Sequence, residues 1–104
     1  MNEESQLGPS QDGTVMLDIG GDVGALIIHT SVALAGSEIE LSVVGTRAPR
    51  THVAVRERRG VGPTRYAAIY PSLPARDYTV WGHDGEPAGT VAIAGGRVSE
   101  LDWR

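Results

Sequence analysis

Three histidines, His29, His52 and His83, are the only imidazoles in this 104-residue chain, and Asp84 directly follows the last of them. Three imidazoles and one carboxylate form a ligand set that zinc or copper accepts in proteins. The histidines fall on three different segments, without the close spacing that is typical of metal ligands. The sequence therefore favours surface or turn positions for them over a metal site.

Nucleophilic and phosphate-binding chemistry finds little support in the sequence. The chain contains no cysteine, so it has no thiolate nucleophile and no disulfide. Its serines lie in no nucleophile elbow, and the glycine pairs in IGGD and AGGR lack the strand, loop and helix context of a phosphate site. We expect no catalytic residue and no cofactor, and we interpret the chain as a non-enzymatic protein.

The basic residues are nine arginines and no lysine, a composition typical of a GC-rich genome. Residues 1–46 contain seven acidic residues and no basic one, whereas residues 47–76 contain seven arginines and one acidic residue. Residues 77–104 contain five acidic residues and two arginines. The net charge of −4 therefore conceals a basic middle segment between two acidic ones.

The basic segment predicts an interaction surface. The alternation in RTHVAVRERR places Arg56 and Arg58 on one strand face, with His52 before them on that face and Arg65 beyond the next loop. Guanidinium groups pair with carboxylates in a bidentate manner, which favours docking to an acidic protein. A merely solvated face and a nucleic-acid platform are the alternatives, and the acidity of the whole chain disfavours nucleic acid.

The same charge pattern could also drive self-association. Glu38 and Glu40 point outward from an alternating strand, SEIELSVV, and could meet the arginine face of a second copy. We therefore expect either a separate protein partner or a homo-oligomer, dimeric or larger.

Trp81 supports a second kind of function. It should point away from Tyr78, onto an outer face, where an exposed tryptophan could stack on a sugar ring. Packing between sheets or at a dimer seam is the alternative. A carbohydrate or other small-ligand module is thus the second functional hypothesis, and a metal-binding or enzymatic domain is the third.

The elements that position these residues are short alternating segments separated by glycine, which predict an all-β fold. Residues 1–13 read as a disordered acidic tail, and residues 14–104 as a single domain. We expect a small antiparallel β-sandwich of about seven to eight strands, with at most one helical turn near residues 31–35. The predicted strands are 14–19, 23–30, 37–44, 50–59, 64–70, 77–81, 89–94 and 97–103.

The segment YPSLPARDYTV predicts a tight corner between two strands. Neither Pro71 nor Pro74 can donate a ladder hydrogen bond, so strand pairing should stop there. We expect Leu73, Tyr78 and Val80 to be buried, with the Tyr78 hydroxyl bonded to the backbone of the corner.

This corner resembles the F/Y-x-x-L-P-x-G-x-Y-x-V signature of prealbumin-like β-sandwiches, a group that includes transthyretin-like, carboxypeptidase regulatory-like and collagen-adhesin B-type domains. The segments GGDVGALIIHTSVALAGSEIELS and GTVAIAGGRVSELDW are similar to the opening and the closing hairpin of that group. The resemblance covers residues 14–103 and departs at Arg76, where the group usually has glycine. It implies a Greek-key sandwich that serves as a binding, spacer or accessory module.

The N-terminal residues lack the basic and apolar regions of a signal peptide, and the longest apolar run is too short to span a bilayer. The sequence therefore predicts a cytoplasmic accessory or interaction module of a larger assembly, without a membrane partner.

Overall fold

The computed structural model describes residues 16–47 and 49–104, which form eight strands and one turn of 3₁₀ helix, Val32–Leu34. The predicted tail, residues 1–13, and Thr14 and Val15 lie outside the described residues. In the described part of the chain no helix is long and apolar enough to cross a membrane. The strands are β1 Val23–Thr30, β2 Glu38–Val43, β3 Thr51–Ala54, β4 Arg56–Arg58, β5 Arg65–Pro74, β6 Asp77–Trp81, β7 Pro87–Ala92 and β8 Val98–Trp103.

The strands form two four-stranded sheets, which confirms the all-β prediction. Sheet I has the order β4-β5-β1-β8, and sheet II has the order β3-β2-β6-β7. All neighbouring strands are antiparallel except β1 and β8, which run parallel. The expectation of a wholly antiparallel sandwich is therefore wrong for that one pair.

The core lies between the two sheets and is built from alternate residues of their strands. Leu26 and Ile28 of β1 face Leu41 of β2 and Val80 of β6, and all four side chains are fully buried. Burial of each aliphatic side chain of this size contributes about 1.5–3 kcal/mol. Successive side chains of a strand point to opposite faces, so the side chains that face the core also identify those on the outer faces of the sheets.

The corner residues behave as the sequence predicts. Leu73, Tyr78 and Val80 are buried, and the Tyr78 hydroxyl donates a hydrogen bond of 2.6 Å to the carbonyl of Pro74. The side chain of Tyr78 in β6 thus closes the corner by binding a carbonyl four residues earlier in the chain.

Strand pairing does not stop at Pro71, as the sequence suggested, but continues to Pro74. Tyr70 lies opposite Leu26 and Leu73 lies opposite Gly24. Between these pairs, Pro71 and Ser72 of β5 face the single residue Ala25 of β1. Pro71 therefore lies in a β-bulge, where a missing N–H group is tolerated. Because of the extra residue, Tyr70 and Leu73 both reach the core although they are three positions apart.

The predicted strand at residues 14–19 is absent over its described part, 16–19. Residues 16–22 are held by an isolated bridge between Gly20 and Val23 and by hydrogen bonds from the Asp18 amide to the Pro71 carbonyl and from the Ala75 amide to the Asp22 carbonyl. The reason is that β5 and β8 occupy both edges of β1, which leaves no edge for a preceding hairpin strand.

The predicted strand at residues 50–59 is divided between the sheets. β3 is an edge of sheet II, β4 is an edge of sheet I, and the chain crosses from one to the other at the buried Val55. The Val55 amide donates to the Ser37 carbonyl and the Gly36 amide donates to the Val55 carbonyl, so both main-chain groups are satisfied at the crossing.

Candidate interaction surfaces

The first candidate surface is a group of three arginines on the outer side of sheet I. Tyr66, Ala68 and Tyr70 of β5 point into the core, so Arg65 and Ala67 point outward. In the ladder between β4 and β5, Arg58 lies opposite Arg65 and Arg56 lies opposite Ala67. We call Arg56, Arg58 and Arg65 the arginine ledge.

The three guanidinium groups of the ledge differ in their surroundings. Arg58 is held in place, because its Nε and Nη2 donate to the Ala67 carbonyl at 3.3 and 3.1 Å. Burial, with a smaller effect of the nearby Arg56 charge, lowers the pKa of Arg58 from its ordinary value. Arg56 and Arg65 are exposed, and no carboxylate within residues 16–47 and 49–104 lies within ion-pair distance of either.

The opposite edge of sheet I carries acidic residues that the sequence analysis did not single out. Leu101 and Trp103 of β8 pack against the core, so Glu100 and Asp102 point outward. Glu100 accepts a hydrogen bond from His29 at 2.6 Å, and Asp102 binds Arg104 at 3.0 Å. The hydrogen bonds from Arg104 lower the pKa of Asp102 to about 2, so this carboxylate is ionised at neutral pH.

The strand register arranges these groups in rows across sheet I. One row runs from Arg56 through Ala67 and His29 to Asp102. The next runs from Ile69 through Ile27 to Glu100. The outer face of sheet I therefore has a cationic edge on one side and an edge with two carboxylates on the other. The residues between the two edges are partly apolar.

The structure does not bring His52, Glu38 or Glu40 to this face. All three lie on sheet II, so the expectation that His52 shares a face with Arg56 and Arg58 is wrong. The crossing at Val55 is the physical reason. Glu38 is 3.3 Å from His52 Nδ1, and Glu40 accepts a hydrogen bond of 2.8 Å from Arg50, so both carboxylates already have partners within the chain.

Trp81 lies on the outer side of sheet II, opposite to Tyr78, as the alternation predicts, but it is only 3% exposed. Its Nε1 donates to the buried Ser42 Oγ at 2.9 Å. The guanidinium carbon of Arg50 lies 3.8 Å from the ring centroid and that of Arg47 lies 4.9 Å from it. Of the two alternatives that the sequence left open for Trp81, the exposed one is therefore wrong, because the loop between β2 and β3 covers the indole with cation–π contacts.

An open cleft of about 660 Å³ lies beside the covered tryptophan. Thr79 of β6 and Thr90 of β7 are directly opposite each other and line its floor, and Arg47 lines one wall. Arg47 has no carboxylate within ion-pair distance in the described chain. The cleft thus offers a cation and hydroxyl groups, which suit a small anionic molecule that carries hydroxyls.

The three histidines are not brought together. His29 lies in β1 of sheet I, His52 in β3 of sheet II, and His83 in the turn after β6. The described residues contain no group of three or more histidine, aspartate or glutamate side chains that could hold a metal ion.

The fold and these surfaces define a small two-sheet β protein with one charge-polarised outer face. Comparison with models of known protein families, with curated proteins and with solved structures finds no match for this chain.

Proposed function

We propose that this chain is a non-enzymatic protein–protein interaction module that docks a carboxylate-rich protein through the arginine ledge, as an accessory part of a larger assembly. The observation that carries the proposal is the state of Arg56 and Arg65. Both side chains are exposed and unpaired within the described chain, although the whole chain has thirteen acidic residues.

The ledge also destabilises the folded chain when no partner is bound. Arg58 lies directly opposite Arg65 in the ladder, and like charges in that position destabilise a sheet. A carboxylate on the partner relieves this repulsion and gains bidentate hydrogen bonds at the same time. The Ala67 carbonyl already holds the Arg58 side chain, which reduces the entropy that this residue loses on docking.

A nucleic-acid partner is less well supported. Phosphates that approach the ledge also approach Glu100 and Asp102 on the same face, and the net charge of the chain is −4. Phosphate binding by a protein relies on neutralisation by several cations without nearby acidic groups.

The experiment that tests the proposal is affinity capture with two variants. The ledge variant is Arg56→Glu/Arg65→Glu. The control variant is Arg76→Glu/Arg97→Glu, which makes the same change of charge at two exposed arginines away from the ledge. We expect the wild type and the control variant to capture a partner at low salt that the ledge variant loses and that 1 M salt releases. Retention of every captured partner by the ledge variant would overturn the proposal.

The second candidate function is binding of a small anionic ligand in the cleft beside Trp81. The observation in its favour is Arg47, which lies next to the facing hydroxyl groups of Thr79 and Thr90. A sugar acid such as galacturonate matches both features, because its carboxylate suits the guanidinium and its hydroxyls suit the threonines.

Trp81 reports directly on this site. In a Trp103→Phe background, Trp81 is the only tryptophan, so its fluorescence should change when galacturonate binds and should not change with neutral galactose. Arg47→Ala should abolish the response. An identical response to both sugars, or none to galacturonate, would exclude this candidate.

The fold itself supports a finer assignment, which we also propose: a prealbumin-like Greek-key sandwich. What supports it is the corner at Leu73, with the Tyr78 hydroxyl bonded to the Pro74 carbonyl, and the two-sheet arrangement around it. An experimental structure with a different order of strands would contradict this assignment.

A further inference from the structure

The outer face of sheet I is complementary to itself. Arg56 and Asp102 occupy the two ends of one row, and Glu100 ends the adjacent row on the same side as Asp102. Neighbouring strands are about 4.8 Å apart, so the cationic and acidic edges of the four-stranded sheet are about 14 Å apart.

Charge selects one orientation of two such faces. When two copies meet face to face about a two-fold axis parallel to the strands, β4 of one copy lies over β8 of the other. Arg56 then meets Asp102 of the second copy, and Glu100 is one row away. A two-fold axis across the strands would instead place arginine on arginine and is disfavoured by repulsion.

The centre of the face allows this approach. Ala67 is small and buried, and Ile27 and Ile69 are half-buried. The larger His29 side chain is only 20% exposed and is held at the acidic edge by its bond to Glu100. Aligned sheets pack about 10 Å apart when their facing side chains are of this kind.

The pairs that already exist within the chain do not prevent the contact. Glu100 binds His29 through Oε1 alone, whereas Asp102 accepts three hydrogen bonds from Arg104, and a carboxylate has about four acceptor positions. Glu100 can therefore accept a further guanidinium, and Asp102 keeps room for a single N–H group of Arg56 from a second copy.

We propose that the chain forms a symmetric homodimer in which the outer face of sheet I packs against the same face of a second copy, with Arg56 of each copy over Asp102 of the other and Glu100 in the adjacent row. This inference rests on the proposed docking function of the ledge and names a second copy as its partner. Because the face covers only four short strands, the contact is at the small end of specific interfaces, and the dimer should be weak and reversible.

Sedimentation equilibrium at low salt tests the proposal with matched charge swaps. The ledge variant, Arg56→Glu/Arg65→Glu, makes both edges of the face acidic, and the acid-edge variant, Glu100→Arg/Asp102→Arg, makes both basic. We expect each variant alone to dimerise at least tenfold more weakly than the wild type. An equimolar mixture of the two should form a heterodimer, because their faces are again complementary.

Arg104 supplies an independent variant. In this orientation Arg104 of one copy lies closest to Arg58 of the other, and the two positive charges repel each other. Arg104 also binds Asp102 and so competes with Arg56 of the second copy for that carboxylate. Arg104→Ala should therefore strengthen the dimer, whereas a merely structural role of the face predicts no change.

The outcomes separate the two proposals. A wild type that stays monomeric at low salt, or a dimer that both charge-swap variants retain, would overturn the homodimer. If the ledge variant in either case still loses a captured foreign partner, the proposed docking function remains supported. Circular dichroism of every variant controls for loss of folding.

Discussion

The five arginine side chains that line the candidate surfaces are of two kinds. Arg47 and Arg50 cover Trp81, and Arg58 binds the Ala67 carbonyl, so these groups act within the fold. Arg56 and Arg65 make no ion pair with a described residue. The number and position of the arginines were evident from the sequence, but this division was not, because it depends on which carbonyls and rings lie near each side chain.

The Tyr78 hydroxyl gives the most specific single-residue prediction for stability. Tyr78→Phe removes the bond to the Pro74 carbonyl and should lower the free energy of unfolding by about 0.5–1.5 kcal/mol. Tyr78→Ala also leaves a cavity and should cost about 3–5 kcal/mol. Urea denaturation measures both values, and equal stability of Tyr78→Phe and wild type would show that the bond contributes nothing.

The buried tyrosines also predict how stability depends on alkaline pH. Burial raises the pKa of Tyr70 and of Tyr78 above the ordinary value of 10.0. The folded chain therefore retains protons that the unfolded chain loses above about pH 10. Their contribution to stability is complete below that pH and is lost as the pH rises through the folded values, with a slope of up to about 1.4 kcal/mol per pH unit for Tyr70, whose pKa is raised strongly.

Chemical denaturation from pH 8 to 11 checks this dependence. Tyr70→Phe should show a shallower loss of stability than the wild type across the alkaline range, since one of the two shifted groups is gone. Identical slopes for both proteins would contradict the assignment of the loss to Tyr70.

The strands explain why some sequence predictions succeeded and others failed. The alternation of Ile39, Leu41 and Val43 correctly predicted an inward face of β2, because that signal is local. The division of residues 50–59 at Val55 was missed, since alternation continues through the crossing and does not say to which sheet a residue belongs. The parallel pairing of β1 with β8 was missed because it joins segments about seventy residues apart.

Close approach of the segment before β8 to the start of β1 gives a prediction for Gly24. A Cβ atom on Gly24 would overlap the Ala94 carbonyl oxygen and lie 2.8 Å from the Ile93 Cγ2. Gly24→Ala should therefore destabilise the fold by about 1–3 kcal/mol. Gly60→Ala is the matched control, because a Cβ atom there meets nothing within 4 Å and should leave stability unchanged or raise it slightly.

Thermal unfolding separates these two glycine variants. For a domain of this size, 1 kcal/mol corresponds to about 4–8 °C in Tm. A Gly24→Ala variant with the Tm of Gly60→Ala would mean that β1 and the segment 93–97 are not packed as closely as described.

The two sheets of the whole molecule differ in how their outer charges are used. On sheet II, Glu38, Glu40 and Arg50 are paired within the chain. Sheet I separates an acidic edge from a cationic one, where Arg56 and Arg65 form no ion pair with a described residue. The partition of charge along the sequence predicted the basic surface. It could not predict that acidic residues near the end of the chain share that face, since only the register of β8 on β1 places them there.

Association of two copies through the outer face of sheet I is checked by NMR of the isolated chain. Amide spectra of the ¹⁵N-labelled chain are recorded at rising total concentration at low salt and again at 1 M salt. Association through this face should produce shifts that cluster on β4, β5, β1 and β8 and that disappear at high salt. Shifts confined to sheet II, or spectra that do not depend on concentration at all, would contradict it.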